Sequence, residues 1–354
     1  MNLFAMNPND YFYVWQSARL ANSKLKPMGK AGLRQAELIW RKWCDFCAGA
    51  GVDWAGARSA DVSAFCQAIN PRSKTKHTSP VTIRRYWRIV NDLYAHALAV
   101  GIVPDNPALS AKPGETERAP SLALTINMWI ALREGLPSGH AFKDRRNRLA
   151  LLLMMRCALT VREIINLTIA DAKPYSGSPE DASLALGYAG LPLLQPESSH
   201  WLALEAHPRY TLSVKKPRTQ QPRLLLLDAR TSQALHDWLA VRSIGSISNI
   251  DSKGRLILGD KIGTAIAPKG LYNICKEHLA RCLTDAGFMA QALPNTMLAE
   301  GGIGHLGPNT LRNTCIALWF NCGVPLEEIK RRCGFKDASV MSRLGAHLHS
   351  PYPI

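Results

Sequence analysis

The stretch that most constrains this chain runs from Leu306 to Phe335: Leu-Gly-Pro-Asn-Thr-Leu-Arg-Asn-Thr-Cys315, then Ile316-Ala-Leu-Trp-Phe320, then Gly323 to Gly334-Phe335. Pro308 suits the first turn of a helix, where a missing N–H leaves no hydrogen bond unmade. Leu311, Cys315, Leu318 and Trp319 recur at helical spacing and predict one apolar face. Gly323 stops that helix. Val324-Pro-Leu-Glu-Glu328 starts a second, with Ile329 and Cys333 inward, Lys330, Arg331 and Arg332 outward, and Gly334 as its stop.

A chain of 354 residues, 47% of them hydrophobic, is long enough for two cores, so two domains are expected. The formal net charge of +16 points to a polyanionic partner. No long amphipathic segment with a wholly apolar face favours a membrane surface instead. The amino terminus has neither a basic segment nor an apolar run of the secretory kind. The most apolar stretch, Leu149 to Val161, is interrupted by Arg156 and too short to span a bilayer, and it reads as one buried helix. Nine cysteines without regular spacing read as reduced, buried thiols of a cytoplasmic protein. The Cys44-Asp-Phe-Cys47 pair sits in a helical stretch with no second pair at zinc spacing, so no metal and no cofactor are expected.

Residues 11–110 read as helices. Leu33 to Cys47 sets Ala36, Ile39, Trp40, Trp43, Phe46 and Cys47 on one face. A shorter helix, Ser59 to Ile69, stops at Asn70-Pro71, and a basic loop carrying Lys74 and Lys76 leads to Ser79-Pro80, an N-cap followed by a first-turn proline. The next helix, Val81 to Val100, buries Ile83, Trp87, Val90, Tyr94 and Ala97 and projects Arg84, Arg85 and Arg88 the other way. No acidic residue falls between 72 and 88, which favours phosphate contact over an ordinary solvated face. Residues 111–120, polar and proline-bearing, read as a linker.

Beyond it, helices are expected near Thr125–Gly135, Asp144–Val161, Thr231–Val241 and Lys269–Gly287. Tyr210-Thr-Leu-Ser-Val214 and Arg223-Leu-Leu-Leu-Leu227 read as strands joined by a basic turn carrying Lys215, Lys216 and Arg218. Residues 172–206, with four prolines and several glycines, receive no assignment: lid, partner-docking loop and plain decoration are all open.

The carboxyl-terminal order resembles the signature of the tyrosine recombinase (phage integrase) family: His-x-x-Arg, an apolar helix, a glycine, a short helix, Leu-Gly-His and a nucleophilic tyrosine. Thr82-Ile-Arg-Arg, Leu93-Tyr-Ala-His-Ala and Asn106-Pro-Ala resemble the family's core-binding domain, and Glu163, Leu167 and Asp171 match its first arginine motif. The resemblance implies a mainly α fold with a small β-sheet (α+β): a helical, SAM-like core-binding bundle over residues 1–110, and over 121–354 the fold of the family's catalytic domain. It also implies two lobes closing around duplex DNA. Its chemistry is mostly missing. Thr160 stands at the first arginine, Asn309 and Phe335 at the two histidine-type positions, and Leu344 at the nucleophile. Arg162, about 200° away on a helix, is no simple substitute for residue 160. Arg312 keeps the second arginine, and Lys216 is nearest to the family's hairpin lysine.

Attack by a tyrosine on a phosphodiester needs the phenol, two guanidiniums on the non-bridging oxygens and a proton donor for the leaving oxygen. The expectation is therefore a double-stranded DNA-binding protein that does not cut. It would act in regulation, mobile-element maintenance or as an accessory to an active recombinase, and the DNA contacts would come from Lys74, Lys76, Arg84, Arg85, Arg88, Lys215, Lys216, Arg218, Lys269 and Arg312. The alternative is a divergent active recombinase using Tyr352, set between Pro351 and Pro353, or a nucleophile donated by a partner. By the same resemblance, Ser342 to Ile354 is a candidate for self-association.

Overall fold

The computed structural model describes residues 6–23, 28–69, 78–114, 121–177, 209–215, 221–242, 254–260, 264–288 and 306–348. The chain divides into two compact units, Met1–Arg118 and Ala119–Ile354.

Unit 1 is helical: α1 (Pro8–Ala21), α2 (Lys30–Gly49), α3 (Ser59–Ala68), α4 (Pro80–Ala99) and the single turn α5 (Pro107–Ser110). The predicted face of α2 is buried at Ala36, Ile39, Trp40, Trp43 and Cys47. On α4, Val90, Leu93, Tyr94 and Ala97 are buried, and Ile83 and Trp87 pack at the margin. Buried aromatic rings must place their polar ends, and these do so on one another and on the backbone. Trp43 Nε1 donates to the Tyr94 hydroxyl at 3.1 Å, and that hydroxyl donates to Trp54 O. Ser79 caps α4 by accepting from Thr82 N, with Pro80 in the first turn.

Unit 2 holds α6 (Ile126–Glu134), α7 (Phe142–Met155), α8 (Val161–Asn166), then three antiparallel strands in the order β1 (Ala172–Pro174), β2 (Tyr210–Val214), β3 (Arg223–Leu226). α9 (Ala229–Arg242), α10 (Pro268–Asp285), α11 (Pro308–Asn321), α12 (Leu326–Cys333) and a 3₁₀ segment over Ala338–His347 follow. The centre is α7, buried without interruption from Leu149 to Met155. Each leucine or methionine of that run contributes about 1.5–3 kcal/mol by leaving water. Strand β1 lies within the stretch that received no assignment; too short to show alternation, it forms by pairing Ala172 with Leu212 and Pro174 with Tyr210.

Three expectations change. Leu149–Val161 is not one helix: α7 ends at Met155, and the chain turns through Ala158 at φ 49° before α8 begins. Residues 160 and 162 therefore do not share a helix, since Thr160 is the cap outside it. α11 is buried nearly all round, including Thr310, Thr314 and Ile316, rather than on one face. Arg332 does not point outward: it is 7% exposed, stacked at 5.3 Å on the Trp319 ring and paired with Glu328. Its aliphatic stem can cover apolar surface while the charge finds a partner.

Candidate functional site

Of the unit 2 positions singled out in the sequence, Thr160, Arg312 and Phe335 lie where α8, β3, α11 and α12 converge. Thr160 and Glu163 close a capping box at the start of α8. Thr160 N and Oγ1 donate to Glu163 Oε2 at 2.8 and 2.9 Å, and Glu163 N donates back to Thr160 Oγ1 at 3.2 Å. The other carboxylate oxygen, Oε1, accepts from Arg223 Nη1 at 2.6 Å, and Arg223 Nε donates to Arg332 O on α12. One carboxylate thus ties a helix start, a strand and a second helix together.

Arg312 enters from α11. Its Nε donates to Ala158 O at 2.8 Å, and its guanidinium lies 5.0 Å from the centre of the Phe335 ring. Ala158 is the non-glycine residue with positive φ among the described residues, so the turn that aims this carbonyl at Arg312 is a strained one. Nη2 of Arg312 and Nη2 of Arg223 are both buried without a hydrogen-bond partner. Burial pushes the Cys333 thiol up to about 11, although the charges of Arg312 and Arg223 act the other way. Burial likewise raises Cys315 well above its usual value, reinforced by Cys333 and Cys157. These thiols are protonated and buried, the state of structural rather than nucleophilic cysteines.

Asn309 is exposed in the first turn of α11. Leu344, 3% exposed, belongs to the apolar core. Lys215 pairs with Asp171 at 2.7 Å while remaining largely exposed. Against the effect of burial, Lys215 and Thr168 hold the Asp171 carboxyl below the usual carboxylate range. Lys269 is exposed at the start of α10. On α4 of unit 1, Arg85 and Arg88 are exposed and Arg84 is half-buried. Lys74, Lys76, Lys216, Arg218 and Tyr352 lie outside the described residues.

Sequence reasoning missed Arg223 and Ala158. An arginine opening an otherwise leucine-only strand is a visible signal for the first, since a cation entering a core needs a partner. Alanine gives no such signal. Among the described residues, no group of His, Cys, Asp or Glu is arranged to hold a metal, and no helix is long and apolar enough to cross a membrane.

No protein-family model and no curated protein sequence matches the chain. Solved structures do. The XerH site-specific recombinase bound to its difH substrate superposes with a TM-score of 0.60 at 17% identity, over 98% of this chain and 81% of that one. The Tn1549 transposon integrase in complex with transposon right-end DNA gives 0.59 at 14% identity, over 98% and 96%. A lambda integrase dimer bound to a COC′ core site gives 0.58 at 12% identity, over 95% and 76%. Helical unit, three-stranded sheet and the α8–β3–α11–α12 junction together have the fold of the tyrosine recombinases.

Proposed function

We propose that this protein binds double-stranded DNA on a tyrosine-recombinase scaffold and does not cleave it. The observation that carries the reading is the contrast at the α8–α11 junction. Arg312 keeps a buried guanidinium nitrogen without a partner, whereas Thr160 serves as a helix cap and Leu344 as core. A guanidinium with spare donors suits a backbone phosphate. A cap hydroxyl and a leucine supply neither the second cation nor the nucleophile of strand cleavage, and loss of one charge-stabilising donor alone costs about 10²–10³ in rate.

Arg84, Arg85 and Arg88 on α4, with Lys74 and Lys76 before it, are the proposed backbone contacts of unit 1; Lys215, Lys216, Arg218, Lys269 and Arg312 are those of unit 2. The DNA-bound state of the solved neighbours and the net charge of +16 support this. The role is regulatory or accessory to an active recombinase, in a mobile element or its host.

Two measurements test it. Footprinting at physiological salt with selected genomic fragments is expected to give a protected duplex site; weak, sequence-blind binding would instead fit a protein-interaction module with incidental charge. Incubation with a nicked suicide duplex is expected to give no covalent adduct. An adduct lost in Tyr352→Phe would establish the active-recombinase alternative, and one surviving that substitution alongside an added recombinase would point to a donated nucleophile.

A further inference from the structure

Unit 2 has a recess of about 260 Å³ whose lining includes none of Thr160, Glu163 and Arg312. Part of that lining is apolar: Leu224 and Leu226 from β3, and Trp319 from α11. Side chains alternate along a strand, so these two leucines stand on the side of β3 opposite the buried Leu225. Leu224 is 60% exposed. The rest of the lining is polar, and three of its members are arginines: Arg156, at the end of α7, and Arg331 and Arg332, on α12.

Two carboxylates serve these three cations. Asp228 Oδ2 accepts from Arg156 Nε at 2.9 Å and from Thr231 Oγ1 at 2.8 Å, while its Oδ1 accepts from Thr231 N at 3.0 Å. Glu328 Oε1 accepts from Arg331 Nη2 at 2.6 Å and from Arg332 Nε at 2.7 Å, and its Oε2 accepts from Arg331 Nε at 2.6 Å. Against the effect of burial, these partners hold both carboxyls below the usual carboxylate range. Both are therefore ionised at neutral pH, and three guanidiniums against two carboxylates leave one positive charge in excess.

That excess sits in a secluded place. The side chains of Arg156 and Arg332 are each only 8% exposed. Arg332 stacks at 5.3 Å on the Trp319 ring, and among the described residues its hydrogen bonds leave from Nε alone. A guanidinium withdrawn from water with donors unspent is a ready partner for a carboxylate or a phosphate. An apolar wall beside a few placed polar groups is the usual make-up of a small-molecule site.

We propose that this recess binds a small amphipathic anion, its carboxylate or phosphate head on Arg331 and Arg332 and its apolar body along Leu224, Leu226 and Trp319. A backbone phosphate of DNA would engage the arginines but leave the leucine wall uncovered. The inference does not rest on the DNA reading.

Isothermal titration of the full chain with octanoate and with phenyl phosphate tests it, the two probes telling a carboxylate head from a phosphate. Saturable binding of at least one probe, one per chain, is expected. It should be at least about tenfold tighter than binding of 1-octanol, which lacks the charge, and of inorganic phosphate, which lacks the body. Arg331→Met cancels the surplus charge, and Leu224→Asp sets a carboxylate against the bound anion. Each should weaken the probe by about tenfold or more. Both side chains are largely exposed, and an unchanged melting temperature reports an intact fold. Where one variant melts early, Arg331→Gln or Leu224→Ser is read in its place. Absence of saturable binding by either probe overturns the inference. So does equal affinity for 1-octanol or inorganic phosphate, or an affinity unchanged in either variant.

Discussion

Arg223 Nη1 lies 2.6 Å from Glu163 Oε1, with the side chains 3% and 0% exposed, and this pair holds β3 to the first turn of α8. Taking both charges from water is costly, and their attraction offsets that cost only while both remain. Glu163→Gln and Arg223→Met, made singly, are each expected to destabilise unit 2 by about 3–5 kcal/mol. The double variant should recover part of that loss. Urea unfolding followed by the fluorescence of the unit 2 tryptophans measures all three, and additive losses in the double variant would argue against the pair acting as a unit.

Ala158 holds a left-handed conformation at φ 49°, with its carbonyl on Arg312 Nε. Left-handed backbone costs a residue bearing a Cβ about 1–2 kcal/mol. Glycine escapes that strain but gives up chain entropy of about 0.5–1 kcal/mol. Ala158→Gly is therefore expected to stabilise unit 2 by up to about 1 kcal/mol in the same assay, and Ala158→Val to destabilise it.

His278 is buried on α10, bonded to Leu132 O at 3.0 Å, and its burial pulls its pKa down to about 4. In the unfolded chain the imidazole titrates near the ordinary 6.5. Between about pH 6.5 and 4 the unfolded state binds the extra proton, so stability falls as pH falls across that window. The size is on the order of 2–3 kcal/mol. His278→Gln should flatten this part of the pH–stability curve, while losses from carboxylates held low by cations, such as Asp228 beside Arg156, remain at lower pH.

On α4, Arg88 is exposed and Arg84 half-buried. Under the proposed function, Arg84→Ala and Arg88→Ala should each weaken duplex binding and shallow the plot of log K against log salt by about 0.9 for every phosphate no longer neutralised. Arg312→Ala should weaken binding similarly. Unchanged affinity and slope in the Arg84/Arg88 double variant would remove unit 1 from the interface.

Periodicity and punctuation made most of the secondary structure legible. Trp40 and Trp43 on α2, the Ser79-Pro80 start of α4 and the Pro308 and Gly334 bounds of α11 and α12 lie where their chemistry predicts, with Gly334 at φ 67°. These are local facts: a missing N–H, a left-handed turn and a 3.6-residue repeat act within a few residues of themselves.

What the sequence by itself determined was therefore the helices, the β2–β3 hairpin and the positions at which the resemblance loses its chemistry, Thr160, Asn309, Phe335 and Leu344. Thr160 is a cap by a local Thr-x-x-Glu box with Glu163, three residues on. Tertiary structure alone decided the rest: Phe335 became a face for Arg312 because α11 and α12 fold together. The break of α7 at Met155, the pairing of Arg223 with Glu163 across sixty positions and the burial of Arg332 on Trp319 belong to the same class. Each joins groups distant in sequence, and the free energy of burying a charge or straining a turn is set by what the fold brings opposite it, which no local pattern records.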